Sequence, residues 1–309
     1  MDIPEEPSLP YTPANPYVKR AATETTTGGP DPSGARILNF LQYGADHYSA
    51  DRLAAFDLLS VFPEATTFAT AVELFRLAAA AYMAGNLGIR QFIDLGCGLP
   101  RNNGAKQEDA PREASREAGT PCSTVYVDND PMVLGQARIP FDVSDYTVVV
   151  DADPVDPLVL GNESIRRRID FYQPVGVLLI GRLARLDDAQ GAAFLATLTA
   201  SLPPGNCVAI CVPVSDDPGV RSGVSEVMTI ALPYSWRVRD AHTAGALLRQ
   251  AGAVVEPPGC GEVGFWSPVD PTRPLRFIPY GGFYAVRSPP LPTPPDTAGT
   301  DCTAHARDR

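Results

Sequence analysis

The sequence predicts an α/β fold in which a doubly wound parallel sheet follows a group of helices. Five apolar runs begin near residues 91, 124, 146, 175 and 206, and most are separated by stretches long enough for a crossover helix. The runs are apolar at successive positions, as is typical of strands buried between two helical layers. The chain before the first run shows the apolar spacing of helices instead.

The N-terminal part is predicted to form two short helices, at 35–44 and 50–60, and one long helix at 62–86. Pro63 lies near the start of the long helix and Gly85 near its end, which are the positions that these residue types favour. The helical segment therefore ends just before the first predicted strand.

The strands follow in chain order as QFIDL, TVYVD, YTVVVD, VGVLLIG and NCVAICV. Helical patterns recur at 187–201 and at 241–251, where Asp240 is placed to act as the N-cap. The last apolar segment, GGFYAVR at 281–287, is predicted to be an edge strand. No internal repeat interrupts this order.

We predict one main domain, residues 33–288, with its N-terminal helices at 33–86. Residues 1–32 form a predicted disordered arm, because they are rich in Pro, Thr and Glu and hold few large apolar side chains. Residues 289–309 have the same character and are a predicted disordered tail.

The formal charge of −11 argues against nucleic acid or an anionic membrane as a partner, because no basic field would attract either one. No window approaches eighteen consecutive apolar residues, and the acidic, Pro-rich N-terminus does not resemble a signal peptide, so a cytoplasmic location is expected. The six cysteines are scattered without the spacing of a zinc or redox pair, so no metal site is expected.

Glycines and acidic residues follow the first three predicted strands. In an open parallel sheet these strand ends are where ligands bind. The residues are Asp94, Gly96 and Gly98 after the first run, Asp128 at the end of the second, and Asp151 and Asp153 at the end of the third.

Each residue type has a use toward a nucleoside. Gly96 and Gly98 allow the backbone to turn sharply and approach a ligand closely, because they lack a Cβ atom. Asp128 can accept hydrogen bonds from ribose hydroxyls. Asp153, with Asp151 as the alternative, can accept one from an adenine amine.

A dinucleotide is a poor fit to this pattern. The fingerprint for that ligand has a third glycine and an acidic residue about 20 positions further on. Here the loop reads GCGLPR, and the next strand-end acid, Asp128, comes 30 residues after Gly98. S-adenosylmethionine fits better, because it lacks a pyrophosphate and its sulfonium and ammonium groups suit an acidic rim.

The order DLGCGLP, VYVDNDPMVL, VVVDADPVDP and PVGVLLIG resembles class I S-adenosylmethionine-dependent methyltransferases, and more narrowly the bacterial Methyltransf_19 branch. The matching segments are 35–52, 89–101, 124–134 and 280–289. The resemblance implies a Rossmann-like, seven-stranded class I methyltransferase sheet with an N-terminal helical lid. It also implies a methyltransferase acting on a small molecule in secondary metabolism, with S-adenosylmethionine as cofactor.

The resemblance also implies which residues surround the cofactor. It places the glycine loop at the methionine moiety, the second strand end at the ribose and adenine, and the third near the adenine amine. The predicted cofactor-binding residues are Arg36, Gly44, Asp46, Asp94, Gly96, Cys97, Gly98, Asp128, Asn129, Asp151, Ala152 and Asp153.

The N-terminal segment departs from the branch, which has Gly, Lys and Asn where this chain has Tyr43, Ala45 and His47. A general base is needed only if the acceptor loses a proton near the transition state. The candidates are His47 and Tyr43 of the N-terminal segment and His242 of the late helix. A histidine is suited to this role because it titrates near neutral pH. For both histidines the alternative is a solvated or hydrogen-bonded position without a catalytic role.

Three functions therefore stay open from the sequence. They are methyl transfer to a small molecule, a non-methylating reaction such as a cyclisation, rearrangement or elimination on the same fold, and non-catalytic cofactor binding. The sequence leaves the oligomeric state undefined, with a homodimer among the states that it allows.

Overall fold

The structure is a computed structural model and describes residues 30–100, 114–115, 118–141, 145–202, 205–250, 254–255 and 282–287. Most of the predicted arm and all of the predicted tail therefore lie outside the described residues.

Three helices precede the sheet, within a few residues of the predicted bounds. They are α1 (Gly34–Leu41), α2 (Ser49–Val61) and α3 (Ala65–Gly85). At the start of α2 the carboxylate of Asp51 accepts a hydrogen bond from the backbone N–H of Tyr48 at 2.8 Å, which satisfies one donor of the first turn. The long helix starts later than predicted, because Pro63 lies in the connection where α2 and α3 bend by 105°.

Five parallel strands form most of the sheet, which confirms the predicted α/β fold. They are β1 (Gln91–Leu95), β2 (Ser123–Asp128), β3 (Thr147–Asp151), β4 (Gly176–Ile180) and β5 (Cys207–Val212), and they pair in the order β3-β2-β1-β4-β5. The later helices are α4 (Pro131–Phe141), α5 (Glu163–Arg168), α6 (Asp188–Ala200), α7 (Pro218–Ala231) and α8 (Ala241–Gln250).

The last two strands correct the prediction at the C-terminal side of the sheet. β6 (Val254–Val255) and β7 (Gly282–Arg287) come last in the chain, and β7 pairs antiparallel with both β5 and β6. The sheet is therefore mixed, and the predicted edge strand at 281–287 is internal, whereas β6 lies at the edge. The apolar pattern of a strand does not say whether one or both of its sides are paired.

The sheet separates two hydrophobic layers. Successive residues of a strand point to opposite faces. Phe92 therefore lies in the layer that also holds side chains of α1, α2, α3 and α7, whereas Ile93 lies in the layer with side chains of α5, α6 and α8. Burial of each such large side chain contributes about 1.5 to 3 kcal/mol. Within the described ranges no single helix is long and apolar enough to cross a membrane, although the bent pair α2 and α3 passes the same test taken together.

Candidate functional site

The carboxyl ends of β1, β2 and β4 meet at a glycine turn. Gly96 and Gly98 have positive φ angles of 84° and 68°, which glycine adopts without steric cost. The backbone N–H groups of Gly96 and Cys97 donate to the carbonyl of Val127 at 2.7 and 3.1 Å. These bonds hold the turn against the end of the neighbouring strand.

The carboxylate of Asp128 is the centre of this arrangement and is only 3% exposed as a residue. Its Oδ1 accepts from the backbone N–H groups of Asn129 and Asp130 at 2.9 and 3.1 Å. Its Oδ2 accepts from the N–H of Gly98 at 3.1 Å and lies 3.4 Å from Nη2 of Arg182. Asp128 therefore fixes the glycine turn as well as lying where a ligand would approach.

Asp94 lies beneath the turn in a buried ion-pair cluster. Its Oδ2 accepts from Nη1 of Arg76 at 2.8 Å, and Arg76 also binds both carboxylate oxygens of Glu73 at 2.7 and 3.0 Å. Burial raises the pKa of Asp94 from its ordinary value, and the charge and hydrogen bond of Arg76 oppose that rise. Oδ1 of Asp94 is buried without a hydrogen-bond partner.

Two arginines enter the site from the end of β4. Gly181 turns the chain with a φ of 73°, and a 3₁₀ helix at Arg182–Arg185 follows. Residues three apart share a face of a 3₁₀ helix, so both arginines point to the same region. Arg185 binds Asp153 at 3.1 Å and lies 4.3 Å from the ring centre of Tyr234.

One cavity adjoins the turn, and a second lies beside the carboxyl end of β2. The apolar cavity, with about 1230 Å³ of empty space including its mouth, lies between the glycine turn and helices α1, α2, α3 and α7. The polar cavity, with about 1000 Å³ on the same measure, lies beside Asp128, Asp130 and Arg185. Gly34, Ala35 and Arg182 line both cavities, so they lie at the junction between them.

Half of the predicted cofactor-binding residues line these cavities. Gly96, Cys97 and Gly98 line the apolar cavity. Arg36, Asp128 and Asn129 line the polar cavity.

The other predicted cofactor-binding residues lie around the cavities rather than on their walls. Asp94 is buried below the turn. Asp151 is exposed at the end of β3, and Ala152 and Asp153 follow it, with Oδ1 of Asp153 accepting from the N–H of Val155 as well as from Arg185. Gly44 and Asp46 flank a turn built around the side chain of Asn39, whose Oδ1 accepts from the N–H of Asp46 at 3.0 Å.

The three predicted catalytic side chains are not among the residues that line either cavity. Nδ1 of His47 lies 3.2 Å from Nη1 of Arg52, and its ring meets Phe40 edge to face with ring centres 5.1 Å apart. An arginine donates in such a contact, so this nitrogen of His47 is the acceptor. Tyr43 is 86% exposed, and His242 is exposed in the first turn of α8.

Sequence analysis missed the arginines that the fold brings to the site, namely Arg76, Arg182 and Arg185. The signal for the last two was the segment GRLARLDD directly after β4, which the carboxyl-end rule places at the ligand crevice. Arg76 gave no such signal, because its distance from Asp94 depends on how α3 packs on the sheet.

A glycine turn between parallel strand ends, with a buried carboxylate at the tip of the next strand, is typical of an α/β protein that binds a nucleotide or nucleoside. The sequence profile of the Methyltransf_19 family, described as S-adenosyl methyltransferase, matches residues 20–284, and the chain belongs to this family. The chain is therefore an S-adenosylmethionine-dependent methyltransferase, which confirms the resemblance, the enzyme class and the cofactor.

Two solved structures resemble this chain over most of their length. One is a predicted methyltransferase from Thermobifida fusca YX, 26% identical, with a TM-score of 0.74 over 84% of this chain and 95% of the other. The second is a DUF574 family protein from Streptomyces avermitilis MA-4680, 25% identical, with a TM-score of 0.75 over 84% and 98% of the two chains. No curated protein matches the chain.

The residues at the turn fit this cofactor. A Cβ atom added to Gly98 would meet no atom within 4 Å, so the cavity reaches the backbone there. The unpaired Oδ1 of Asp94 can accept a hydrogen bond, as an ammonium group requires. In the described part of the chain, no group of three or more His, Cys, Asp or Glu residues could hold a metal ion.

Proposed function

We propose that this enzyme methylates a small, largely apolar molecule, of the kind found in secondary metabolism, in the apolar cavity. The observation that carries the proposal is the composition of its wall. Charged groups lie at the end of the cavity near the glycine turn. The rest of the wall includes the apolar side chains of Leu41, Phe62, Phe68, Met228 and Trp236. A cavity of this kind excludes water and orients an apolar acceptor through shape.

We propose that the N-terminal helices cover the site as a lid on the seven-stranded sheet. This proposal is supported by Gly34 and Ala35 of α1, which line both cavities, and by Leu58 of α2 and Phe62, which line the apolar one. Cofactor and acceptor would then enter and leave through movement of these helices.

The polar cavity and the glycine turn would together hold the cofactor. Gly98 would allow close approach of the ligand to the backbone, and Asp128 would accept hydrogen bonds from the ribose. Asp94 lies below the turn, and its unpaired Oδ1 would accept a hydrogen bond from the ammonium group. When bound, S-adenosylmethionine supplies an electrophilic methyl group. Because Arg182 lies at the junction of the two cavities, transfer would take place beside it.

The acceptor would bring a nucleophile that needs no base from the cavity wall. No histidine is among the described residues that line the apolar cavity, and Glu73 is held by Arg76. Burial raises the pKa of the Cys211 thiol to about 12. Burial also raises the pKa of the Cys97 thiol well above its ordinary value, and the negative charges of Asp128 and Asp94 add to that rise. Alignment and exclusion of water are then the main contributions of the protein.

Calorimetry and turnover test the proposal. Asp128→Ala removes the acceptor for ribose hydroxyls and is expected to weaken S-adenosylmethionine binding by about 1 to 3 kcal/mol. Wild-type enzyme is expected to form S-adenosylhomocysteine with members of a panel of apolar aromatic carboxylates and amines, whose nucleophiles need no base, and not with matched sugars. Unchanged S-adenosylmethionine affinity in Asp128→Ala would contradict the cofactor site. Turnover restricted to the sugars would contradict the proposed class of acceptor.

A further inference from the structure

The side chain of Arg182 covers one half of the glycine turn. Its Nη2 donates to the carbonyl of Gly96 at 2.8 Å, and a Cβ atom added to Gly96 would lie 1.8 Å from its Nε. Over Gly98, by contrast, an added Cβ meets nothing within 4 Å. The guanidinium of Arg182 therefore lies against the face of the turn where the cofactor is expected, while the other half stays open.

Arg182 also contacts Asp128, the carboxylate that would accept hydrogen bonds from the ribose hydroxyls. A carboxylate offers about four acceptor sites. Three sites of Asp128 bind the backbone N–H groups of Gly98, Asn129 and Asp130, which belong to the turn and the strand end. The fourth faces Nη2 of Arg182 at the longer distance of 3.4 Å. Of these four donors, the arginine is the one that rotation of a side chain can remove.

We propose that Arg182 competes with the cofactor for Gly96 and Asp128, and that its charge makes the site favour S-adenosylhomocysteine over S-adenosylmethionine. Binding of either ligand requires the guanidinium to leave the turn. The side chain stays tethered to the 3₁₀ helix at the junction of the cavities, so its charge remains close to the bound ligand. This inference rests on the proposed cofactor site.

The charge difference between the two ligands supplies the selectivity. S-adenosylmethionine carries a sulfonium, an ammonium and a carboxylate, whereas its demethylated product has lost the sulfonium charge. Burial alone would lower the pKa of Arg182, but nearby groups led by Asp128 raise it, and the net shift is upward, so the guanidinium stays charged. Its repulsion acts on the sulfonium and is absent from the product.

Calorimetric titration of the full chain with both ligands tests the proposal. Arg182→Met, which keeps an apolar stem without charge, is expected to bind both ligands more tightly than wild type. The affinity ratio should shift about tenfold toward S-adenosylmethionine, since a unit charge near the sulfonium is removed. Arg182→Lys keeps the charge and should keep the wild-type ratio. The matched control is Arg167→Met, which removes an exposed arginine of α5 that lines neither cavity.

The outcomes separate this inference from the cofactor site itself. If neither ligand binds wild type or Arg182→Met, the cofactor site is wrong and the inference fails with it. If both bind wild type and Arg182→Met binds them with an unchanged ratio, or more weakly, only the inference is overturned. Wild-type crystals soaked with S-adenosylhomocysteine give a test that needs no variant, because a guanidinium still bound to Gly96 beside the ligand would overturn it too.

Discussion

Replacing Arg76 by methionine tests the buried ion-pair cluster beneath the glycine turn. The side chains of Arg76, Glu73 and Asp94 are 12%, 9% and 1% exposed, and the arginine lies 2.7 and 2.8 Å from the two acids. Removing one partner of a buried pair costs about 3 to 5 kcal/mol, because the remaining charge stays buried without compensation. We expect a loss of this size in the free energy of unfolding near neutral pH.

The loss should depend on pH in a defined direction. Burial already raises the pKa of Asp94 from its ordinary value of 3.8, and removal of Arg76 takes away the largest opposing influence. The folded variant then binds the proton of Asp94 more tightly than the unfolded chain does. Its stability therefore falls as the pH rises from 3.8 through the raised folded pKa, by at most about 1.4 kcal/mol per pH unit.

Urea unfolding of wild type, Arg76→Met, Asp94→Asn and the double variant, measured from acid to neutral pH, gives the assay. The double variant has no buried unpaired charge at residue 94, so it should be more stable at neutral pH than Arg76→Met alone. A wild-type free energy of unfolding in Arg76→Met, or a deficit that does not shrink in acid, would refute the reasoning.

Two further predictions concern the glycine turn and Arg239, which binds the 3₁₀ helix. Gly98→Ala and Gly88→Ala place a methyl group at nearly equal φ angles of 68° and 69° with no atom within 4 Å, so each should cost about 1 to 2 kcal/mol of stability. Only Gly98→Ala should weaken S-adenosylmethionine binding in calorimetry, and equal affinities for the two variants would contradict the cofactor site. Arg239 is 5% exposed and donates to the carbonyls of Leu183 in the 3₁₀ helix and of Leu186 after it, so Arg239→Met should lower stability by about 2 to 4 kcal/mol in urea unfolding. Arg167→Met, whose ion pair with an exposed glutamate is on the surface, should leave stability unchanged, and equal behaviour of these two variants would argue against the role of Arg239.

The candidate site was predictable where it depends on strand ends and not where it depends on helix packing. Asp94, Gly98 and Asp128 were found because the carboxyl end of a parallel strand follows directly from the apolar run before it. Arg76 lies on α3, and no local pattern tells which turn of that helix faces Asp94. The placement of His47 and Tyr43 outside both cavities likewise follows from how α1 and α2 pack on the sheet.

The sequence by itself determined the α/β class, the order of the strands along the chain, the glycine turn and the family, because these features are encoded within short stretches of residues. Only the tertiary structure decided that β7 is internal to the sheet, that arginines pair with Asp94 and Asp128, and that Arg182 covers Gly96. The physical reason is that strand pairing and ion pairing join residues far apart in the chain. The packing of whole helices and strands decides which residues pair, and a short sequence pattern does not determine that packing.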